Sequence, residues 1–128
     1  MRPELTPAVA AWIAERDAQK MYLTAVSEAE LRYGVAIMPV GKRRNALEAA
    51  MTRWLDLGFR ERVLPFDSAA ARAYAEIAAE RRQAGRTICE ADCQIAAICR
   101  SRGAVLVTRN VRDFKDTGVE VVNPWATV

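Results

Sequence analysis

Two carboxylates sit where amphipathic helices should turn toward their cores. In "SEAELRYGVAIM" (27–38), Glu30 shares an arc with Ile37 and Gly34 at about 100° per residue, while Glu28 and Arg32 lie opposite. In "EADCQIAAICRSRG" (90–103), Ile95, Ile98 and Cys99 define the inner face, and Asp92 falls beside Cys99, between Ile95 and Ala96. No Lys or Arg shares either arc. An unpartnered carboxylate among apolar side chains is costly to keep ionised, so each needs a cation or strong hydrogen bonds. A divalent metal would satisfy both, and oxygen-only ligation suits Mg2+ or Mn2+.

A local explanation stands beside that one. "SEAE" (27–30) and "TICE" (87–90) both match the S/T-x-x-E capping box, so Glu30 could simply close a helix start against Ser27. Asp92 in a first helical turn also suits the macrodipole. Asn110 and Asp113 follow the apolar run "AVLVT" (104–108) and, taken alone, are ordinary turn residues.

Composition narrows the chemistry further. The 128-residue chain contains no histidine. That removes Ser-His-Asp and Cys-His nucleophile systems, imidazole acid–base ribonuclease chemistry and the usual zinc sites. Cys89, Cys93 and Cys99 form no C-x-x-C pair and read as small buried apolar residues of a reducing compartment. Half the chain is apolar (52%) and 27% is charged, as in a globular protein, and the length suits one domain over residues 1–128. With neither a membrane-length apolar run nor a signal-peptide core, the expectation is a cytoplasmic protein without a membrane partner. Net charge is +3, and basic clusters occur at "GKRRN" (41–45), "ERRQAGR" (80–86) and Arg100, Arg102, Arg109 and Arg112. Solvated helix faces account for such clusters singly, while together they lean toward a polyanion.

The elements that must position these residues alternate. Thr6 and Pro7 start a helix to about Arg16. "MYLTAV" (21–26) is a short strand, followed by the helix carrying Glu30. A longer helix over 42–57 places Leu47, Ala50, Trp54 and Leu57 on one stripe. "RVLPF" (62–66) is a strand, and Asp67 caps a helix over 68–84 with Ala70, Tyr74 and Ile77 inward. The helix over 90–102 stops at Gly103. "AVLVT" and "VEVVNPW" (119–125) supply the last strands. Such alternation predicts an α/β layered fold with a mainly parallel sheet, whose sites lie beyond the carboxyl ends of the strands.

Together, "AVSEAELRYGV", "VLPFD", "EADCQIAAICRSRGAVLVTRNVRDF" and "VEVVNPW" resemble a PIN-domain protein, more narrowly a VapC-type toxin near the FitB-like branch. The order and spacing of the four motifs carry the resemblance from about residue 3 to Trp125. It implies a three-layer α/β domain and an acidic cluster holding Mg2+ or Mn2+. It further implies metal-dependent cleavage of RNA, a cognate antitoxin whose tail covers the acidic groove, and a homodimer. Glu30 then takes the family's second acidic position and Asp92 the third. The fourth usually follows the "T-R" after a strand, which here is Asn110. An amide brings no charge, so Asp113 shares or replaces that role. Thr108 would orient a water or ligand, and Arg109 and Arg112 would contact RNA phosphate.

The opening "MRPELTPAVAAWI" resembles the segment after the family's first strand, so the expectation is a chain lacking that strand and its first carboxylate. The alternative function is therefore a catalytically impaired PIN-like protein that binds RNA or an antitoxin without cutting. A phospho-acceptor role for Asp92 is disfavoured, because such an Asp should end a strand rather than sit on a helix.

Overall fold

Thr24 is the residue at which a strand becomes a helix. Its backbone is extended (φ −81°, ψ 150°), and its hydroxyl accepts the Ser27 N–H at 3.0 Å, an N-cap that stops the strand after two residues. The structure is a computed structural model that describes Glu15 and residues 21–123. The expected helix over 6–16, Glu15 apart, and the chain beyond Asn123 lie outside the described residues. Among those described, 21–65 and 66–123 form two compact units.

In residues 21–65, β1 (Leu23–Thr24) runs parallel to β2 (Val63–Leu64), with Leu23 opposite Val63 and Thr24 opposite Leu64. Helix α1 spans Ala25–Ala36, so Ala25 and Val26, expected in the strand, form its first turn instead. Glu28 and Arg32 pair across one turn at 2.7 Å, worth about 0.3–0.5 kcal/mol at an exposed site. Helix α2 covers Lys42–Arg53 and runs into a π-helical turn at Trp54–Gly58. The expected stripe through Ala50, Trp54 and Leu57 is not the inner one, since all three are exposed; Leu55 is buried, with Leu47 and Met51 partly so. Both rows are apolar, and periodicity alone does not choose between neighbours. Arg62 fastens the return of the chain by donating to the carbonyls of Met21 (3.0 Å) and Gly58. Its guanidinium also lies 5.9 Å from the centre of the Phe59 ring, which meets Trp54 edge-on at 4.7 Å.

In residues 66–123, the Asp67 carboxylate accepts the Ala70 N–H at 3.0 Å and starts α3 (Ser68–Gln83), as its sequence position predicts. Helix α4 (Glu90–Arg102) ends at Gly103, whose φ of 63° lies in the left-handed region that favours glycine, and the Ala104 N–H closes on the Cys99 carbonyl at 2.9 Å. The two helices pack on each other. Ala70, Ala73 and Ile77 of α3 and Cys93, Ile95, Ala96, Ala97, Ile98 and Cys99 of α4 are buried. Ile77 and Ile98 are fully so, each burial contributing roughly 1.5–3 kcal/mol. Strand β3 (Leu106–Val107) runs parallel to β4 (Val121–Val122), Leu106 opposite Val121. A 3-10 turn at Val111–Phe114 lies between them in sequence. Every strand pairing described is parallel, as expected. No described helix is long and apolar enough to cross a membrane.

Candidate functional site

Asp92 occupies the third residue of α4 and is half-buried, next to fully buried Cys93 and one turn before Ala96. The capping-box alternative fails here. Cys89 is the N-cap with no side-chain cap bond, and it is exposed rather than buried as expected, because it precedes the helix that buries Cys93 and Cys99; Thr87 also lies outside the helix. What Asp92 does contact is Cys89. The Asp92 backbone N–H pulls that thiol's pKa down, but hydrogen bonding to the Asp92 carboxyl, burial and its negative charge outweigh this, and the net pKa is raised. No Lys or Arg pairs with Asp92 among the described residues. Asp92 stands in the first turn of α4, where the helix macrodipole favours negative charge.

Glu30 is placed differently. The cap of α1 is Thr24, six residues earlier, so Glu30 is not part of a capping box either. It is exposed, and so are Gly34 and Ile37 of the arc expected to face a core, as is Tyr33 beside them; Val35 alone in α1 is buried. Helical phase identified residues sharing a face, and that face of α1 is open.

Thr108, Asn110 and Asp113 form one hydrogen-bonded turn beyond the carboxyl end of β3. The Thr108 N–H bonds to the Val122 carbonyl at 3.0 Å, and the Thr108 hydroxyl accepts the Asn110 N–H at 3.1 Å. The Asn110 carbonyl in turn accepts the Asp113 N–H at 3.2 Å. Arg109, Asn110, Arg112 and Asp113 are all exposed, with Thr108 half-buried. The 3-10 turn, whose Phe114 is buried, packs on α4, the helix that carries Asp92.

Among the described residues, no three His, Cys, Asp or Glu side chains converge closely enough to hold a metal ion. The donor chemistry nevertheless fits a hard cation. Burial pushes the Cys99 thiol up to about 11 and raises Cys93, and the pKa of Cys89 beside Asp92 is raised too, which disfavours thiolate ligation relative to oxygen donors. Mg2+ is commonly held by one or two carboxylates with water completing its shell, and within residues 66–123 Asp92, Asn110 and Asp113 carry oxygen donors of that kind.

Sequence reasoning missed Arg81. Within the basic run "ERRQAGR" it was grouped with solvated charges, yet it is buried at 8% exposure. The signal was available, because Ala70, Ala73, Ile77 and Arg81 fall on one helical stripe.

Comparison with known proteins agrees with this architecture. A VapC ribonuclease of Sinorhizobium fredii, Y4jK, is 39% identical over 118 residues, 92% of this chain and 84% of that protein. The toxin FitB of Neisseria gonorrhoeae is 35% identical over 125 residues, 98% of this chain and 90% of that one. The solved structure of FitAB bound to an IR36 DNA fragment matches with a TM-score of 0.91 at 35% identity, covering 99% of this chain and 89% of that chain. Residues 2–120 match the PIN domain family, and with the α/β elements and parallel strand pairs described above, the chain belongs to it.

Proposed function

We propose that this protein is a Mg2+- or Mn2+-dependent endoribonuclease toxin of a toxin–antitoxin pair. The observation that carries the reading is Asp92, a half-buried carboxylate at a helix start with no basic partner among the described residues. Its relatives support the substrate class, being a VapC ribonuclease and the toxin FitB. Asp92 would hold the cation, with Asn110 contributing a carbonyl oxygen and Asp113 a second charge from the adjoining turn, and Glu30 keeps the role of second acidic ligand that the family resemblance implies. When bound, such a cation supplies water activated near neutral pH and stabilises charge on the attacked phosphate. The chain's own residues do the rest. Thr108 would orient a water or ligand through its hydroxyl, whose oxygen accepts the Asn110 N–H. Arg109 and Arg112, both exposed, contact RNA phosphate in a salt-sensitive manner. The antitoxin and a second copy of the chain are the expected protein partners. The exposed Tyr33, Ile37, Val40 and Leu57 are apolar surface of the kind protein partners cover.

Asn110 favours a second reading, a PIN-like protein that binds RNA or an antitoxin without cutting, because an amide stands where the family usually has an acid. Incubation of the protein with single-stranded RNA and Mn2+ separates the two. The first reading expects cleavage that chelation stops and that Asp92→Asn lowers by at least about a hundredfold. Undiminished cleavage by Asp92→Asn would refute the site assignment, and RNA retention without cleavage would favour the second reading.

A further inference from the structure

Arg81 is a charged side chain on the buried stripe of α3, and its hydrogen bonds run to backbone carbonyls. Nε donates to the Arg86 carbonyl at 2.7 Å, and Nη1 donates to the carbonyls of Lys115 at 2.9 Å and Asp113 at 3.4 Å. The Arg86 N–H returns a bond to the Arg81 carbonyl at 2.9 Å, fixing the loop that leaves α3. One guanidinium therefore ties the end of a helix to a segment more than thirty residues away in sequence. A planar group with several fixed donors suits this task, and a hydrogen bond from a charged donor is worth more than one from a neutral donor.

The segment it holds is fastened from other sides too. The Thr117 hydroxyl, buried at 1% exposure, donates to the Phe114 carbonyl at 2.7 Å. Arg86 pairs with Asp116, whose φ of 62° is unusual for a residue with a side chain. Gly118 has a φ of 77°, and a side chain there would come within 3.3 Å of the Arg100 Nε. Arg100 itself reaches Glu76 of α3 at 3.3 Å. Residues 113–118 are thus held by Arg81 and Arg86, and of these two Arg81 is the buried one.

We propose that Arg81 is a positioning residue that sets the Asn110–Asp113 turn for cation and RNA binding. The assignment rests on the nuclease reading above for what the turn does, but not for what holds the turn. Unlike a surface arginine that contacts phosphate, Arg81 directs its hydrogen bonds at backbone carbonyls and would touch neither RNA nor metal.

Amide hydrogen exchange on wild type, Arg81→Gln and Arg81→Lys tests the clamp without reference to activity. Arg81→Gln should speed exchange of the Asp113 and Lys115 amides about tenfold or more, the size expected for losing a hydrogen bond from a charged donor, while interior amides of α4 keep their protection. Arg81→Lys, with charge but no fork, should give an intermediate loosening and keeps the test valid where Arg81→Gln does not fold. Unchanged exchange at 113 and 115 in Arg81→Lys, or equal loss of protection throughout α4, would overturn the proposal. In parallel, the Mn2+ concentration for half-maximal cleavage should rise about tenfold in Arg81→Lys, with cleavage at saturating Mn2+ largely retained. Loss of cleavage with unchanged half-saturation would also overturn it. A wild type that never cuts RNA would remove the nuclease reading, and the exchange result would still decide whether Arg81 positions the turn.

Discussion

Residues 66–123 bury an unbroken run from Ile95 to Cys99 on α4 together with Ala70, Ala73 and Ile77 on α3. Residues 21–65 bury Thr24, Val35 and Leu55, and leave Tyr33, Ile37, Val40, Trp54 and Leu57 exposed. Both stretches carry apolar residues at helical spacing, so the sequence pattern does not separate them. The difference lies in coverage. In the first, a helix meets a helix along small side chains; in the second, two helices present apolar faces that the described residues do not cover. A periodic pattern reports which residues share a face, and tertiary structure alone decides whether that face is inside.

The largest expected effect would break the comparison if it failed. Ile98→Ala should lower the unfolding free energy by about 3 kcal/mol, because it opens a cavity among fully buried neighbours, whereas Leu57→Ala, 76% exposed, should change it by less than about 0.5 kcal/mol. Urea denaturation of both variants measures this. Similar losses would mean that the face bearing Leu57 is covered in solution. The caps provide a middle-sized test. Thr24→Ala and Asp67→Ala each remove one side-chain acceptor from a helix start, so each should cost about 1 kcal/mol whatever the burial around it. A much larger loss for one would show that the two units differ in local as well as tertiary support.

The smallest effect concerns pH. The Arg86 hydrogen bond holds the Asp116 carboxyl below its ordinary pKa, assisted by the nearby Lys115 and Arg81 charges. A depressed carboxylate pKa contributes stability that is present above the unfolded value and is lost as pH falls through the folded one. Asp116→Asn should therefore be slightly less stable than wild type at neutral pH, with the gap closing in acid. Urea midpoints of the two proteins across the acid range check it. Because the pair is exposed, added salt should shrink the gap as well.

The local punctuation was legible in the sequence. Asp67 at a helix start, Gly103 at a helix end and the inner face through Ile95, Ile98 and Cys99 all depend on short-range chemistry, and the structure has each of them. The partial burial of Asp92 was legible for the same reason, since its neighbours in helical phase are apolar. The π turn at Trp54–Gly58 was not, as nothing in "RWLDLG" distinguishes a widened turn from an ordinary one. The strand at 21–26 shortened because Thr24 served as a cap, a competition between two acceptable local outcomes. Glu30 reads the same whether its face is covered or open. Arg81 was hidden by its type, for a guanidinium on a buried stripe makes sense only once the carbonyls it meets are known.

The joint between α3 and α4 has a consequence for how this sequence can vary. Ala70, Ala96 and Ala97 have no exposed surface at all, and Ala73 has almost none. A larger residue at any of them must push a helix aside, at roughly 1–3 kcal/mol, and glycine would weaken the helix by about 1 kcal/mol. Neither direction is free, so change at one of these positions calls for a matched change across the joint. The two helices are in effect inherited as a single part.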